Sequence, residues 1–134
     1  MKNSVNRYNP PEIEVIKGIA ASGSDGPVTM LNINKYSEDA GFPDGSLYRE
    51  YMTVLSDLLP NVGARILWRS PVFGQAVGSG EADEIFAAWY PSHQAFLDLP
   101  SVPGGKNNFR LRKLCVERAV IHRCDGVLGA NRDD

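Results

Sequence analysis

Apolar positions along this chain recur with a period of two in some stretches and a helical period in others, and the switches between them predict its elements. Between Val28 and Tyr36 the period is two. Thr29, Leu31, Ile33 and Lys35 fall on one parity, with Met30, Asn32, Asn34 and Tyr36 on the other. Strand side chains alternate between faces, so Leu31 and Ile33 predict a face covered by helices. Met30, Asn32 and Asn34 predict the opposite, half-polar face. Over residues 46–60 the period turns helical, with Leu47, Tyr48, Tyr51, Val54, Leu55, Leu58 and Leu59 in one stripe. Ser46 or Asp44 is the expected N-cap, Pro60 closes the helix, and Gly63 is its terminal glycine.

Extended segments follow at Ala64–Arg69 and Val72–Val77, broken at Pro71, with a turn at Gly78–Glu81 and a strand over Glu84–Tyr90. Ser92 caps a short helix through Ala95, Phe96 and Leu99, and Pro100–Asn108 reads as irregular. Phe109–Cys115 reads as a further helical piece and Val116–Cys124 as the last strand. Ahead of all this, Pro10-Pro11 opens a short amphipathic helix with Ile13, Ile16 and Ile19, ended by Gly23-Ser24-Asp25-Gly26. The organisation is an arm at 1–25, a domain at 26–125 and a flexible tail at 126–134.

The order β-α-β-β-α-β is the split βαβ unit of an α+β, ferredoxin-like domain, with helices on one face of an antiparallel sheet. Leu31 and Ile33 are expected against Tyr51, Val54, Leu55 and Leu58. The other face, bearing Met30, Val120 and aromatic residues, would be a large apolar patch. A second copy packed on it about a two-fold axis removes that patch, so a homodimer is expected.

Composition narrows the function classes. With 134 residues, 43% of them hydrophobic, the chain can build a core without staples. No apolar run approaches the roughly 20 residues that a spanning helix needs. Met1–Tyr8 is polar, without the apolar stretch of a secretory signal, so a cytoplasmic protein with no membrane partner is expected. Cys115 and Cys124 are too few for a disulfide framework, and with His93 and His122 they match no zinc spacing. No metal and no cofactor is expected. The net charge of −2 hides an asymmetry, because Lys106, Arg110, Arg112, Lys113, Arg118 and Arg123 face only Glu117 in their segment. Nucleic acid is not the expected partner, since stacking aromatics are missing beyond Phe109 and the pI is near 5.7. A solvated helix face or a small-anion site fits better.

Several fragments, in this order and spacing, carry a resemblance. They are Asn9-Pro10-Pro11, the run Asp25-Gly26-Pro27-Val28-Thr29-Met30-Leu31-Asn32 leading to Lys35, and the Tyr48/Tyr51 helix. Val62-Gly63-Ala64-Arg65-Ile66-Leu67-Trp68, Tyr90-Pro91-Ser92 with Ala95-Phe96, and Arg110, Leu114 and Arg118 complete them. Together they resemble the domain of unknown function 1330 family of the dimeric α/β-barrel superfamily, over about Tyr8 to Cys124. The resemblance implies the fold and a homodimer, and no established activity. The stretches Gly78–Glu81 and Pro100–Asn108 depart from the family pattern.

Motifs of strong chemistry are missing. Gly78-Ser79-Gly80 lacks the Lys-Ser/Thr of a phosphate loop, no Gly-x-Ser-x-Gly elbow occurs, and no spaced carboxylate pair stands out. The open sheet face is the expected site. With Ala119 and Ile121 toward the helices, Arg118, Val120 and His122 would share the face of Asn32 and Asn34. Asn32, Trp68, Arg118 and His122 are then expected to line a pocket, with Arg110 reaching in from the second helix. His122 is the candidate base and Arg118 the anchor of a small anionic or carbonyl-bearing molecule. Internal acids such as Glu84 or Glu117 are the competing partners for Arg118. Two function classes stand: a cofactor-independent small-molecule enzyme, and a non-catalytic ligand-binding or stress-associated dimer.

Overall fold

The period-two stretch becomes the inner strand β1 (Val28–Tyr36) of a four-stranded sheet in a computed structural model, which describes residues 8–127. β1 pairs antiparallel with β3 (Glu84–Tyr90) and β4 (Val116–Asp125), and β3 pairs with β2 (Arg65–Pro71). The order is β2-β3-β1-β4, which places the first and last strands side by side, as a ferredoxin-like unit requires. α1 (Pro10–Ala21) precedes β1, and α2 (Ser46–Leu58) connects β1 to β2. α3 (His93–Asp98) and α4 (Gly105–Cys115) lie between β3 and β4.

Antiparallel register makes paired residues share a face. Met30 pairs with Ala88, Asn32 with Phe86 and Ile121, and Asn34 with Glu84 and Ala119. Val28, Met30, Tyr36, Phe86, Ala88 and Tyr90 are buried in one core with Tyr51, Met52, Leu55 and Leu58 of α2. Met30 is 2% exposed. Leu31 and Ile33 point the other way, paired with Ala87 and His122 and with Ile85 and Val120. The expected parity of β1 is therefore reversed, and Leu31 and Ile33 do not pack on α2. Asn32 and Asn34 made the Met30 parity look like the polar face. An amide is cheap to bury once hydrogen-bonded. Asn34 Nδ2 donates to the Tyr36 hydroxyl at 3.3 Å, and Asn32 Nδ2 donates to the Met30 carbonyl at 3.1 Å.

Local signals explain most boundaries. α2 buries Tyr48, Tyr51, Met52, Leu55 and Leu58, a helical stripe as expected. Its N-cap is Gly45, neither Ser46 nor Asp44, and no side chain caps it. Any Cβ at Gly45 would strike the Ala40 carbonyl and Gly41, so only glycine admits this turn. A 3-10 turn over Leu59–Val62 follows, ended by left-handed Gly63 at φ 76°. Ser92 caps α3 as expected, accepting from the Ala95 amide at 3.0 Å. β2 is one strand where two extended segments were expected: Val72 adds one hydrogen bond, to the Asp83 carbonyl, and Phe73 and Val77 are exposed. α4 begins at Gly105, earlier than the expected Phe109, inside the stretch taken as irregular. Ile16 anchors α1 in the main core, and α1 lies along α3. Most of the tail expected over 126–134 lies outside the described residues. Among the described residues no helix is long and apolar enough to cross a membrane. Cys115 and Cys124 are both free thiols.

Candidate functional site

α4 turns one side toward the sheet, and that side reads Asn108, Leu111, Arg112, Cys115 at i, i+3, i+4, i+7. Asn108, Leu111 and Cys115 are buried and Arg112 is half-buried. Opposite them stand Met30 and Asn32 of β1, Ile121 of β4 and Tyr51 of α2. Phe96 of α3 wedges between two phenols, edge-on to Tyr8 at 6.1 Å and to Tyr90 at 5.4 Å between ring centroids. These elements leave a cleft of about 310 Å³ between the start of α1, Arg112 and β4. It continues into a narrower space of about 40 Å³ lined by Asn32, Tyr51 and Asn108. Tyr8, Met30, Phe96, Arg112 and Ile121 line both parts.

The polar groups of this cleft complement an electron-rich ligand. Burial pushes Tyr51 up to about 12, against the nearby Arg112 guanidinium. Burial likewise raises Tyr8, opposed by Arg112, and raises Tyr90, helped by the neighbouring phenols Tyr8 and Tyr51. All three phenols therefore remain protonated donors at neutral pH. Among the described residues Arg112 forms no ion pair. Asn108 Oδ1 is buried with no hydrogen-bond partner among the described residues, a state that most buried acceptors avoid. A cation, phenolic donors and an unanswered acceptor thus meet between apolar walls, the composition of a small-molecule site.

The five residues expected to form the pocket do not converge within one subunit. Asn32 lies in the inner cleft. Trp68, Arg118 and His122 belong to the other face, where Trp68 pairs with Ala87, Arg118 with Lys35 and His122 with Leu31. The reversed parity of β1 is the cause. His122 is exposed and borders the outer mouth of the cleft, because β4 is an edge strand. The Arg118 guanidinium donates to the Glu81 carbonyl and braces the 78–83 turn. Arg110 points away from the sheet, donating to Asn107 Oδ1 at 2.7 and 3.0 Å and lying 3.9 Å from Glu50. Of the local basic cluster, Arg112 and Arg123 line the outer cleft, and Arg112 also lines its inner part. The i, i+4 spacing of Asn108 and Arg112 around apolar Leu111 and Cys115 was the signal that could have found them.

Two further polar clusters lie outside the cleft, and in one of them His93 Nε2 is buried without a partner among the described residues. Buried Glu84 accepts from Tyr36 at 2.5 Å and from Tyr48 at 2.8 Å, beside the stacked ring of Phe42. Burial, reinforced by the Glu84 carboxylate, raises both phenols, although the Asn34 amide works against this at Tyr36. Asp25 accepts from the amides of Gly26, His93 and Gln94, and its Oδ1 lies 2.9 Å from His93 Nδ1. Burial works to raise this carboxyl, and the three amides with the His93 ring outweigh it and hold it below its ordinary value. This clamp joins the segment after α1 to the first turn of α3.

No family model matches the chain, and no curated protein matches it. Solved structures do. A protein of unknown function from Rhodopseudomonas palustris matches at 22% identity and a TM-score of 0.70, over 87% of this chain and 92% of that one. A DABB-family protein with a ferredoxin-like fold from Mesorhizobium loti matches at 10% identity and 0.56, over 75% and 96%. A dimeric ferredoxin-like protein of unknown function from Thermobifida fusca matches at 15% identity and 0.51, over 73% and 89%. The fold is ferredoxin-like. At these identities the ferredoxin-like neighbours speak for architecture, and the chemistry rests on the cleft itself.

Proposed function

We propose that this chain is a homodimer of the domain of unknown function 1330 kind, whose helix-side cleft binds a small anionic or carbonyl-bearing molecule without a cofactor. The pairing of the Arg112 guanidinium with the unanswered Asn108 acceptor, between apolar walls, carries the ligand reading. Among the described residues the inner cleft is lined by no histidine and no carboxylate, which favours ligand binding over proton-transfer catalysis.

The dimer reading rests on the open sheet face, where Leu31, Ile33, Ile85, Trp68 and Val120 stand together by register. Trp68 is 48% and Val120 42% exposed in the single subunit. A neighbour in fold is itself a dimeric ferredoxin-like protein. In this assembly Trp68, Arg118 and His122 face the second copy and serve the interface. A stable pairing buries on the order of 1,200 Å² or more in total. Light scattering should give twice the 14.7 kDa chain mass, and Val120→Glu should shift it toward one. A wild-type monomer at micromolar concentration overturns the dimer. For the cleft, small carboxylates should raise the melting temperature of wild type and fail to do so in Arg112→Met. Equal stabilisation of both proteins, or of neither, overturns the ligand reading.

A further inference from the structure

The cleft also constrains what kind of anion it takes. We infer that its ligand is a small monocarboxylate with an apolar body and a hydroxyl group, the carboxylate on Arg112 and the hydroxyl donating to Asn108 Oδ1. This rests on the cleft reading above and sharpens it.

Charge sets the first limit. Among the lining residues Arg112 forms no ion pair with a described residue, whereas Arg123 is held by Glu12 at 2.5 Å and 3.3 Å. A guanidinium with no ion-pair partner among the described residues, in a partly desolvated cleft, matches one negative charge, and a second would go unpaired. A planar guanidinium with a phenol donor beside it suits the two oxygens of a carboxylate.

The hydroxyl follows from Asn108. Its Oδ1 accepts from no described residue, and a buried acceptor left so costs about 1–3 kcal/mol. A second acceptor on the ligand would deepen that cost, so the group reaching it must be a donor. The inner space of about 40 Å³ is much smaller than the outer part of about 310 Å³, so the body of the ligand lies in the outer part and a small group such as a hydroxyl reaches inward. Asn108 and Arg112 are one helical turn apart on the same side of α4, so the body of one small ligand can bridge them. Met30, Phe96 and Ile121 supply apolar walls for such a body.

The test uses benzoate, 3- and 4-hydroxybenzoate, the matching methoxybenzoates and phenol, titrated by calorimetry against the full chain at neutral pH. One hydroxybenzoate should bind about tenfold more tightly than benzoate and than its methoxy counterpart, a difference of about 1.4 kcal/mol. Asn108→Leu should erase that preference, and Arg112→Met should remove binding of every acid. Hydroxyl and methoxyl acids binding alike in wild type, still dependent on Arg112, would overturn this inference and leave the cleft reading standing. In that case a water answers Asn108. Phenol binding as well as the acids, or no acid binding at all, would overturn both. A hydroxyl preference that survives in Asn108→Leu would overturn the role given to Asn108. The hydroxyl-to-methoxyl comparison in wild type decides the inference even where a variant does not fold.

Discussion

Raising the pH should unfold this protein before any of its tyrosines ionises as a free phenol would. The chain has five tyrosines, at positions 8, 36, 48, 51 and 90, and each is shifted upward, with burial the leading cause in every case. Tyr51 moves from 10.0 to about 12. The native state therefore holds a proton that the unfolded state releases near 10. Below that value the contribution of Tyr51 is fully present, and it is lost progressively as the pH climbs toward 12. Two powers of ten in proton affinity, at about 1.4 kcal/mol each, make the loss from Tyr51 about 3 kcal/mol. The other four act in the same direction, and whole domains are stable by only about 5–15 kcal/mol. The assay is tyrosinate absorbance recorded beside far-ultraviolet circular dichroism over a stepwise alkaline titration. Absorbance should stay flat through about pH 10, where free tyrosine is half ionised, and then rise together with loss of the dichroism signal. In urea the same absorbance should rise near 10. One or more tyrosines ionising near 10 with the dichroism intact would refute the reasoning.

Met30→Ala should cost about 2–5 kcal/mol in urea denaturation, because Met30 is core; a loss within about 0.5 kcal/mol, as at a surface position, would refute the parity described for β1. Glu84→Ala strands the hydroxyls of Tyr36 and Tyr48 at about 1–3 kcal/mol each, and Glu84→Gln should recover part of this in thermal melts. Equal melting of the two variants would remove the role given to the carboxylate. Asp25→Ala should cost about 0.5–2 kcal/mol at neutral pH, as loss of a helix cap does. The Asp25 carboxyl is lowered from 3.8, so its contribution is present above that value and fades as the pH falls below it. A gap between wild type and Asp25→Ala that persists unchanged in strong acid would contradict this.

The architecture was legible wherever one period ran unbroken. β1, α2 and β3 sit where alternation and the helical stripe put them, and their order leaves few alternatives to β2-β3-β1-β4. Which face of β1 met the helices was not legible, because two asparagines disguised the core parity. Their amides are answered by Tyr36 and by the Met30 carbonyl, contacts that only the folded chain makes. The candidate site inherited that reversal. Arg118 and His122 went to the open face as expected, but Asn32 went to the other. Arg112 and Asn108 were hidden for a related reason, since polar residues on a helix read as solvated unless their spacing locks them to a buried stripe. Pro100–Asn108 read as irregular for its glycines and prolines, although α4 starts within it, at Gly105 behind the left-handed Gly104.

α1 is remote in sequence from the helices that build the cleft, yet Ile13 and Ile16 wall it from the side and Glu12 pins α1 to β4 through Arg123. Whatever fills the cleft must touch the arm as well as the sheet. Occupancy and arm docking are thus linked quantities: each strengthens the other by the same free energy. A bound molecule should therefore slow amide exchange in α1 by the factor by which a docked α1 tightens its hold on that molecule, so the arm itself reports occupancy from outside the cleft.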